Sequence, residues 1–426
     1  MKKKIPSVKG TRDFYPETMA VRTWMYDVIR EVSESFGYQE YEGPFLEKIE
    51  LYAAKSGEEL VKEQAFVFPD RSGEEITLRP ELTPTLARMV AEKQRQLVLP
   101  LRWWSFGPFW RYERPQRGRT REFFQWNIDL IGTNTPESDA ELVAVSAEFF
   151  RRTGLLPNQV VLFVNDRRLM DQSLEALQIS DKLKSGVFKL IDRREKYKFS
   201  DWEAYAKDIG LDKAQFSGLI AILENDQLWQ QSDSLQRFFY ALDALGVREY
   251  VQYNTQIIRG LDYYTGTVFE ARDLDGGRSI LGGGRYDNLV GAVGGDPLPG
   301  VGFAMGDVMA SIVLDKYGCI PPVEGGAQTV MVTIFDESCV ADSYAISQEI
   351  RRAGLKAACY PEPVKLQKQI KYADRIGIRW VVICGPDEIK QNTVAIKDLE
   401  TREQRLCNRG DLANELSKLL AQPNPL

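Results

Sequence analysis

The segment Arg111–Asp129, RYERPQRGRTREFFQWNID, sets a basic loop between two stretches of strand-like alternation. Side chains on a strand point alternately to its two faces, so a strand after the loop puts Arg121, Phe123, Gln125, Asn127 and Asp129 on one face. Phe124, Trp126, Ile128 and Leu130 fall on the other face, which is core material. The first set joins a guanidinium, an aromatic plane, an amide and a carboxylate, an unusual group to spend on solvent unless something binds there. Taken alone, the segment also reads as an amphipathic edge hairpin with a solvated charged tip.

The rest of the chain bears on that choice. Its 426 residues, 43% hydrophobic and 11% aromatic, can bury a sizeable core and exceed one ordinary domain, so two or three domains are expected. A net charge of −6 and a pI near 5.3 argue against non-specific coating of nucleic acid. They leave room for a local basic surface such as Arg114, Arg117, Arg119 and Arg121. The start, MKKKIPSVKG, carries lysines with no apolar run behind them and does not read as a secretory signal. No stretch is apolar for long enough to span a bilayer. Cys319, Cys339, Cys359, Cys384 and Cys407 are odd in number and widely spaced, which suits reduced thiols in a cytoplasmic protein.

The chain contains no histidine. That excludes Ser-His-Asp and Cys-His nucleophile activation, HExxH sites and Cys/His zinc sites, and the absence of a CxxC pair removes the remaining common zinc arrangement. Carboxylates, arginines, magnesium and bound phosphates are left. Those are the parts used in phosphoryl and nucleotidyl transfer, where positioning and charge stabilisation outweigh any protein nucleophile.

Apolar residues at helical spacing from Thr18 to Phe36, stopped by Gly37, predict a long amphipathic helix. An extended piece follows over Tyr38–Phe45, then a helical run near Lys48–Ser56 and a strand over Glu75–Arg79. A new helix is expected to be capped by Thr83 with Pro84 in its first turn. A further helix over Ala140–Thr153 ends at Gly154. Residues 165–247 turn helical and charged and read as an inserted subdomain. Strand patterns return at Tyr250–Ile258, Thr267–Arg272 and Val301–Met305. The stretch IPPVEGG, from Ile320 to Gly326, is a linker by composition. After it, strand and helix alternate as in a small α/β domain with crossovers. The expected division is 1–164 and 248–319 for a catalytic domain, 165–247 for the insert, 320–327 for the linker and 328–426 for the tail.

Six blocks in order resemble one known family: GTRDFYPE at Gly10, TLRPELTP at Thr77, RYERPQRGRTREFFQ at Arg111, RGLDYYTGTVFE at Arg259, GGGRYDNLV at Gly282 and GVGFAMG at Gly300. Together they are similar to histidyl-tRNA synthetases, class II aminoacyl-tRNA synthetases. GPDEIKQNTVAIKDLETREQ, from Gly385, resembles their anticodon-binding domain. The resemblance implies an α+β fold: an antiparallel six-stranded sheet flanked by helices, the helical insert and a C-terminal α/β domain. It further implies a homodimer with its interface around Tyr38–Phe45 and Pro44, a cytoplasmic location, and ATP-dependent ligation of L-histidine to its tRNA through a histidyl-adenylate. ATP is then a substrate with Mg²⁺ as its companion ion.

The same resemblance implies roles. Glu81, Leu82, Thr83, Gln125, Asp129, Arg259, Tyr263 and Tyr264 would bind histidine, Glu81, Thr83 and Gln125 at its ammonium and Asp129 and Tyr264 at its imidazole nitrogens. Arg111 and Arg259 would be the catalytic arginines at the α-phosphate. Arg111, Glu113, Arg119, Arg121, Phe123, Gly302 and Gly306 would bind ATP, with Phe123 stacked on adenine. Arg114 and Gln116 would meet the tRNA acceptor end. The nucleophile is the histidine carboxylate, already an anion, so no general base is required. One position departs from the pattern: the family follows its Gly-Phe-Ala-Met-Gly run with a Glu-Arg pair, and here Gly306 is followed by Asp307, Val308 and Met309. Arg285 is the candidate for the displaced charge. Two competing readings are a paralogue without catalysis, such as the regulatory subunit of ATP phosphoribosyltransferase, which typically lacks the anticodon-binding tail, and a degenerate synthetase-like RNA-binding or histidine-sensing module.

Overall fold

The computed structural model describes residues 4–53, 63–258, 264–322 and 328–421. The chain divides into two compact units, Met1–Phe14 with Val21–Pro321 and Tyr15–Ala20 with Pro322–Leu426.

In chain order the strands of the first unit are β1 (Gln39–Glu40), β2 (Leu46–Lys48), β3 (Phe66–Pro69), β4 (Glu75–Leu78), β5 (Leu101–Trp110) and β6 (Glu122–Ile131). They continue with β7 (Val160–Asp166), β8 (Val251–Tyr253), β9 (Thr267–Asp273), β10 (Leu281–Tyr286) and β11 (Gly300–Gly306). Eight of them form one sheet in the order β1-β5-β6-β11-β10-β9-β7-β8, and β2, β4 and β3 form a small antiparallel sheet. The expected six antiparallel strands are its centre, β5 to β7. The two additions are β1 and β8, short strands that pair in parallel with the outer strands and cover their free backbone groups.

One face of this sheet is core. Trp126, Ile128 and Leu130 are almost fully buried, and Trp126 meets Phe303 edge-on at 4.8 Å and Phe149 at 5.7 Å. Phe149 lies on the helix Pro136–Thr153, whose bounds are set by local chemistry. The Thr135 side chain accepts from the backbone N–H of Ser138, Pro136 fills the first turn, and Gly154 closes the helix at φ +85°. Truncating Trp126 to alanine in such surroundings costs about 3–5 kcal/mol. The run between β7 and β8 holds five α-helices from Arg167 to Ala244, and Val187, Leu190, Trp202 and Leu219 from it join the same apolar core as Trp126.

Three local expectations differ from the structure. Thr83 is the first residue of the helix Thr83–Lys93, not its cap; Leu82 holds the cap position, with no side-chain cap bond. The Tyr250–Ile258 pattern yields only β8, because the chain then turns inward. Asn165 donates to the carbonyls of Thr255 and Ile257, so the buried isoleucines 257 and 258 pack in a turn and not in a ladder. In the second unit β12 (Thr329–Val332), β13 (Lys356–Cys359) and β14 (Trp380–Ile383) are parallel with helical crossovers, as the alternation predicts. The chain then adds an antiparallel pair, β15 (Thr393–Asp398) and β16 (Gln404–Asn408), giving the order β13-β12-β14-β15-β16.

Candidate active site

The sheet face opposite the core is shaped by glycines. In register, Asp129 on β6 faces Gly302 on β11, which faces Gly284 on β10. A Cβ at Gly302 would lie 2.2 Å from the Asp129 carboxylate, one at Gly284 would lie 2.8 Å from the Tyr264 ring, and one at Gly300 would lie 2.5 Å from the Tyr286 ring. Each glycine therefore makes room for a larger side chain lying over the strand, which is a packing reason for glycine where φ is not the constraint.

Asp129 is 5% exposed, and Tyr286 Oη donates to its Oδ1 at 2.7 Å. Burial pushes its carboxyl up to about 7, and the tyrosine hydrogen bond works against that rise. Tyr264, 8% exposed, joins an apolar cluster with Ile257 and Val268, and its carbonyl accepts from Arg167 at 3.0 Å. Glu81 is buried and Thr83 half-buried on the turn that leads into the helix Thr83–Lys93, while Leu82 is core. That turn is positioned by Arg79, which is fully buried and ion-paired to Glu42. Arg79 also donates to the Pro108 and Gly43 carbonyls and lies between the rings of Phe45 and Phe109. Only a glycine fits against this guanidinium: a Cβ at Gly107, the register partner of Gln125, would sit 2.3 Å from Arg79 Nη2.

Toward the other end of β6 the face opens into a solvent-accessible cleft, lined by Arg111, Glu113, Arg119, Phe123, Gly306 and Met309 among others. Arg111 donates to the Pro80 carbonyl at 2.9 Å and lies 5.4 Å from the centre of the Phe123 ring, which ties the cleft to the Glu81 turn. Glu113 pairs with Arg119 at 2.9 Å. Gln116 and Arg119 bridge backbone to backbone, and Gly118 at φ +80° makes the turn between them. Arg114 and Gln116 are exposed at this tip. Arg121 stands at the root of the loop, with its backbone N–H on the Gly10 carbonyl and its guanidinium over Tyr112 at 4.2 Å. Gly306 lines the cleft, whereas Gly302 belongs to the Asp129 end. Arg259 and Tyr263 lie outside the described residues.

Arg285 does not supply the charge missing at position 309. It lies one residue out of phase with Gly284 and Tyr286, and so on the other face of the sheet, where it is 1% exposed and ion-paired to Asp139. It also donates to Thr133 and Ser138. The residue after Gly306, Asp307, is buried too. It accepts from Arg12 at 2.8 Å and from the Phe124 backbone at 2.9 Å, locking the GTRD segment and β6 to the start of the helix Asp307–Lys316. Sequence reading missed Tyr286, Arg79 and the Arg12–Asp307 pair. For Tyr286 the signal was present: it stands two residues beyond Gly284, hence on the same face.

The model of the histidyl-tRNA synthetase family matches residues 10–308, and that of the anticodon-binding domain matches 327–419. The chain belongs to the histidyl-tRNA synthetase family. It is 36% identical over 409 residues to the histidine–tRNA ligase of Leptospira biflexa, with 93% of each chain covered. It is 34% identical over 435 residues to that of Pyrococcus horikoshii, with 98% of this chain and 99% of the relative covered. A crystal structure of histidyl-tRNA synthetase from Nostoc sp. PCC 7120 superposes with a TM-score of 0.82 at 26% identity, covering 98% and 100% of the two chains. This chain is therefore an aminoacyl-tRNA synthetase with histidine and tRNA as substrates, and the regulatory-subunit reading is not favoured. ATP use follows from the same membership. Among the described residues no helix is long and apolar enough to cross a membrane, and no cluster of three or more Cys, Asp or Glu could hold a metal ion.

Proposed function

We propose that histidine and ATP meet end to end along β6, histidine over the glycine rows and the nucleotide in the cleft. The juxtaposition of the buried Asp129–Tyr286 pair with the Arg111–Phe123 cleft on one sheet face carries this reading. Glu81, Thr83 and Gln125 receive the histidine ammonium, with the Leu82 backbone between the first two. Asp129 and Tyr264 hold the imidazole nitrogens, and Tyr263, outside the described residues, is assigned to histidine by the resemblance alone. A wrong amino acid then leaves buried polar groups unpaired, which discriminates more strongly than a change of shape.

The histidine carboxylate attacks the ATP α-phosphorus and pyrophosphate departs. Arg111 and Arg259 neutralise the charge that builds on the α-phosphate and on the incoming carboxylate, a contribution on the order of 10²–10³ in rate for a single such group. Phe123 stacks on adenine, Gly306 admits the nucleotide to the start of its helix, and Glu113, Arg119 and Arg121 organise the loop over the outer phosphates. Mg²⁺ fits here as an ion carried by the nucleotide. Among the described residues Glu113 is the one acidic side chain lining the cleft, and such ions bind one or two carboxylates plus phosphate oxygens. When bound, it screens the phosphate charge. The exposed Arg114 and Gln116 meet the acceptor end of the tRNA, whose terminal hydroxyl attacks the adenylate carbonyl and takes the histidyl group as AMP leaves.

The domain division 1–164, 165–247, 248–319 and 328–426, a cytoplasmic location and a homodimer belong to the same reading. The dimer is supported by exposed apolar side chains around the predicted interface, Phe45 and Leu46 at the start of β2 and Val67 and Phe68 on β3. Light scattering after size exclusion should give twice the 48.5 kDa chain mass, and a monomer that charges tRNA would end the dimer proposal. Pyrophosphate exchange into ATP tests the site. It should require histidine and fall about 10²–10³-fold in Arg111→Ala, and exchange undiminished by that change would exclude the assignment.

A further inference from the structure

We propose that Arg278 supplies the cation to the outer phosphates of ATP that Met309 cannot. This rests on the cleft being the nucleotide site. Met309 lines the cleft with a polarisable but uncharged side chain, and Arg285 is committed to Asp139 on the far face. The other arginines at the rim are engaged: Arg119 with Glu113, Arg121 with Tyr112 and Arg111 beside Phe123. Arg114 and Arg117 are exposed at the loop tip.

Arg278 lies in the connection from β9 to β10, and the next two residues, Ser279 and Ile280, line the cleft. A Cβ at Gly118 would lie 2.4 Å from Met309 Sδ and 3.7 Å from Arg278 Cδ, so the loop tip rests on both side chains at one point. At φ +80° that tip has no side chain to interpose between them and the cleft. Arg278 is half-buried, and its Nη1 is enclosed without a hydrogen bond among the described residues. An enclosed guanidinium N–H without an acceptor is costly, and a phosphate oxygen is the acceptor that best offsets it. A connection from a neighbouring strand thus takes over a charge that the resemblance places on the helix after Gly306.

The test is pyrophosphate exchange at saturating histidine, with AMP as a competitive probe that lacks outer phosphates. Arg278→Ala should raise KM for ATP about tenfold or more, the scale of one hydrogen bond to a charged group, with KM for histidine and inhibition by AMP unchanged. Adding Met309→Arg to that variant should recover part of the loss. An unchanged KM for ATP overturns the proposal, and so does equal weakening of ATP and AMP, which marks a structural role. Phe123→Ala separates the two levels. If it impairs exchange while Arg278→Ala does not, only the Arg278 assignment falls; if neither variant has an effect, the nucleotide reading of the cleft falls with it.

Discussion

At the Asp129 end of β6 the polar groups are buried and already paired across a tight glycine row, whereas at the Phe123 end they line an open cleft, with Arg119 paired to Glu113 at its rim. On the proposed assignment, the difference follows from what each end would recognise. An imidazole is told from other side chains by two nitrogens, so its partners must be dry and fixed in advance. A triphosphate carries so much charge that placement of cations matters more than enclosure. The first strategy carries a folding cost that the second avoids, and the contrast can be tested residue by residue.

The largest effect is expected at Asp129. Its carboxyl is pushed up to about 7 by burial, above the usual value of 3.8. A carboxyl whose folded value is raised favours folding while protonated. Its contribution is whole below the unfolded value near 3.8 and is lost as pH rises through about 7, at about 1.4 kcal/mol per pH unit. Asp129→Asn removes that loss. The variant should match the parent in stability near pH 4 and exceed it by a few kcal/mol at pH 8, while histidine-dependent exchange falls about 10²–10³-fold. Denaturant titrations at the two pH values check the first half; a variant no more stable at pH 8 would mean that Asp129 is not held at a cost.

Next come the glycines. Gly302→Ala places a methyl 2.2 Å from the Asp129 carboxylate and 2.7 Å from the Ile128 carbonyl, and backbone cannot yield. We expect a loss of about 1–3 kcal/mol in stability and a raised KM for histidine. Gly306→Ala meets no atom of the described chain within 4 Å, so its stability should stay within about 0.5 kcal/mol and any kinetic change should fall on ATP. If both alanines act on the same substrate, the two-ended reading of the strand fails.

How much of this was legible in the sequence follows from the range of the interactions. The alternation in β6 identified its core face, because Trp126, Ile128 and Leu130 obey a local rule. The same rule, applied to Arg285 between Gly284 and Tyr286, would have shown that the arginine faces the core side and the tyrosine the site. The Glu42–Arg79–Gly107 arrangement and the Arg12–Asp307 pair were beyond reach, since they join residues 37 and 295 apart that only the finished sheet brings together. The antiparallel hairpin closing the second unit was missed for a related reason. Val394 and Ile396 alternate as any strand does, and direction is decided by pairing with β14. Arg278 carries no local signal; it stands in a connection, and only its approach to Gly118 sets it apart.

The smallest and most diagnostic change is Tyr286→Phe. It removes the 2.7 Å hydrogen bond to Asp129 and leaves the ring over Gly300 in place, so packing is preserved. That bond lowers the Asp129 value against the upward pull of burial; without it the carboxyl titrates higher still. Two consequences follow with fixed signs. The pH-dependent loss of stability, which levels off near 7 in the parent, should extend to higher pH, and affinity for histidine at neutral pH should fall roughly tenfold, the value of one bond to a charged group. KM for ATP should not move. A tenfold loss shared by both substrates would instead make Tyr286 a support for the whole sheet face, and the separation between a pre-paired end and an open end of β6 would no longer stand.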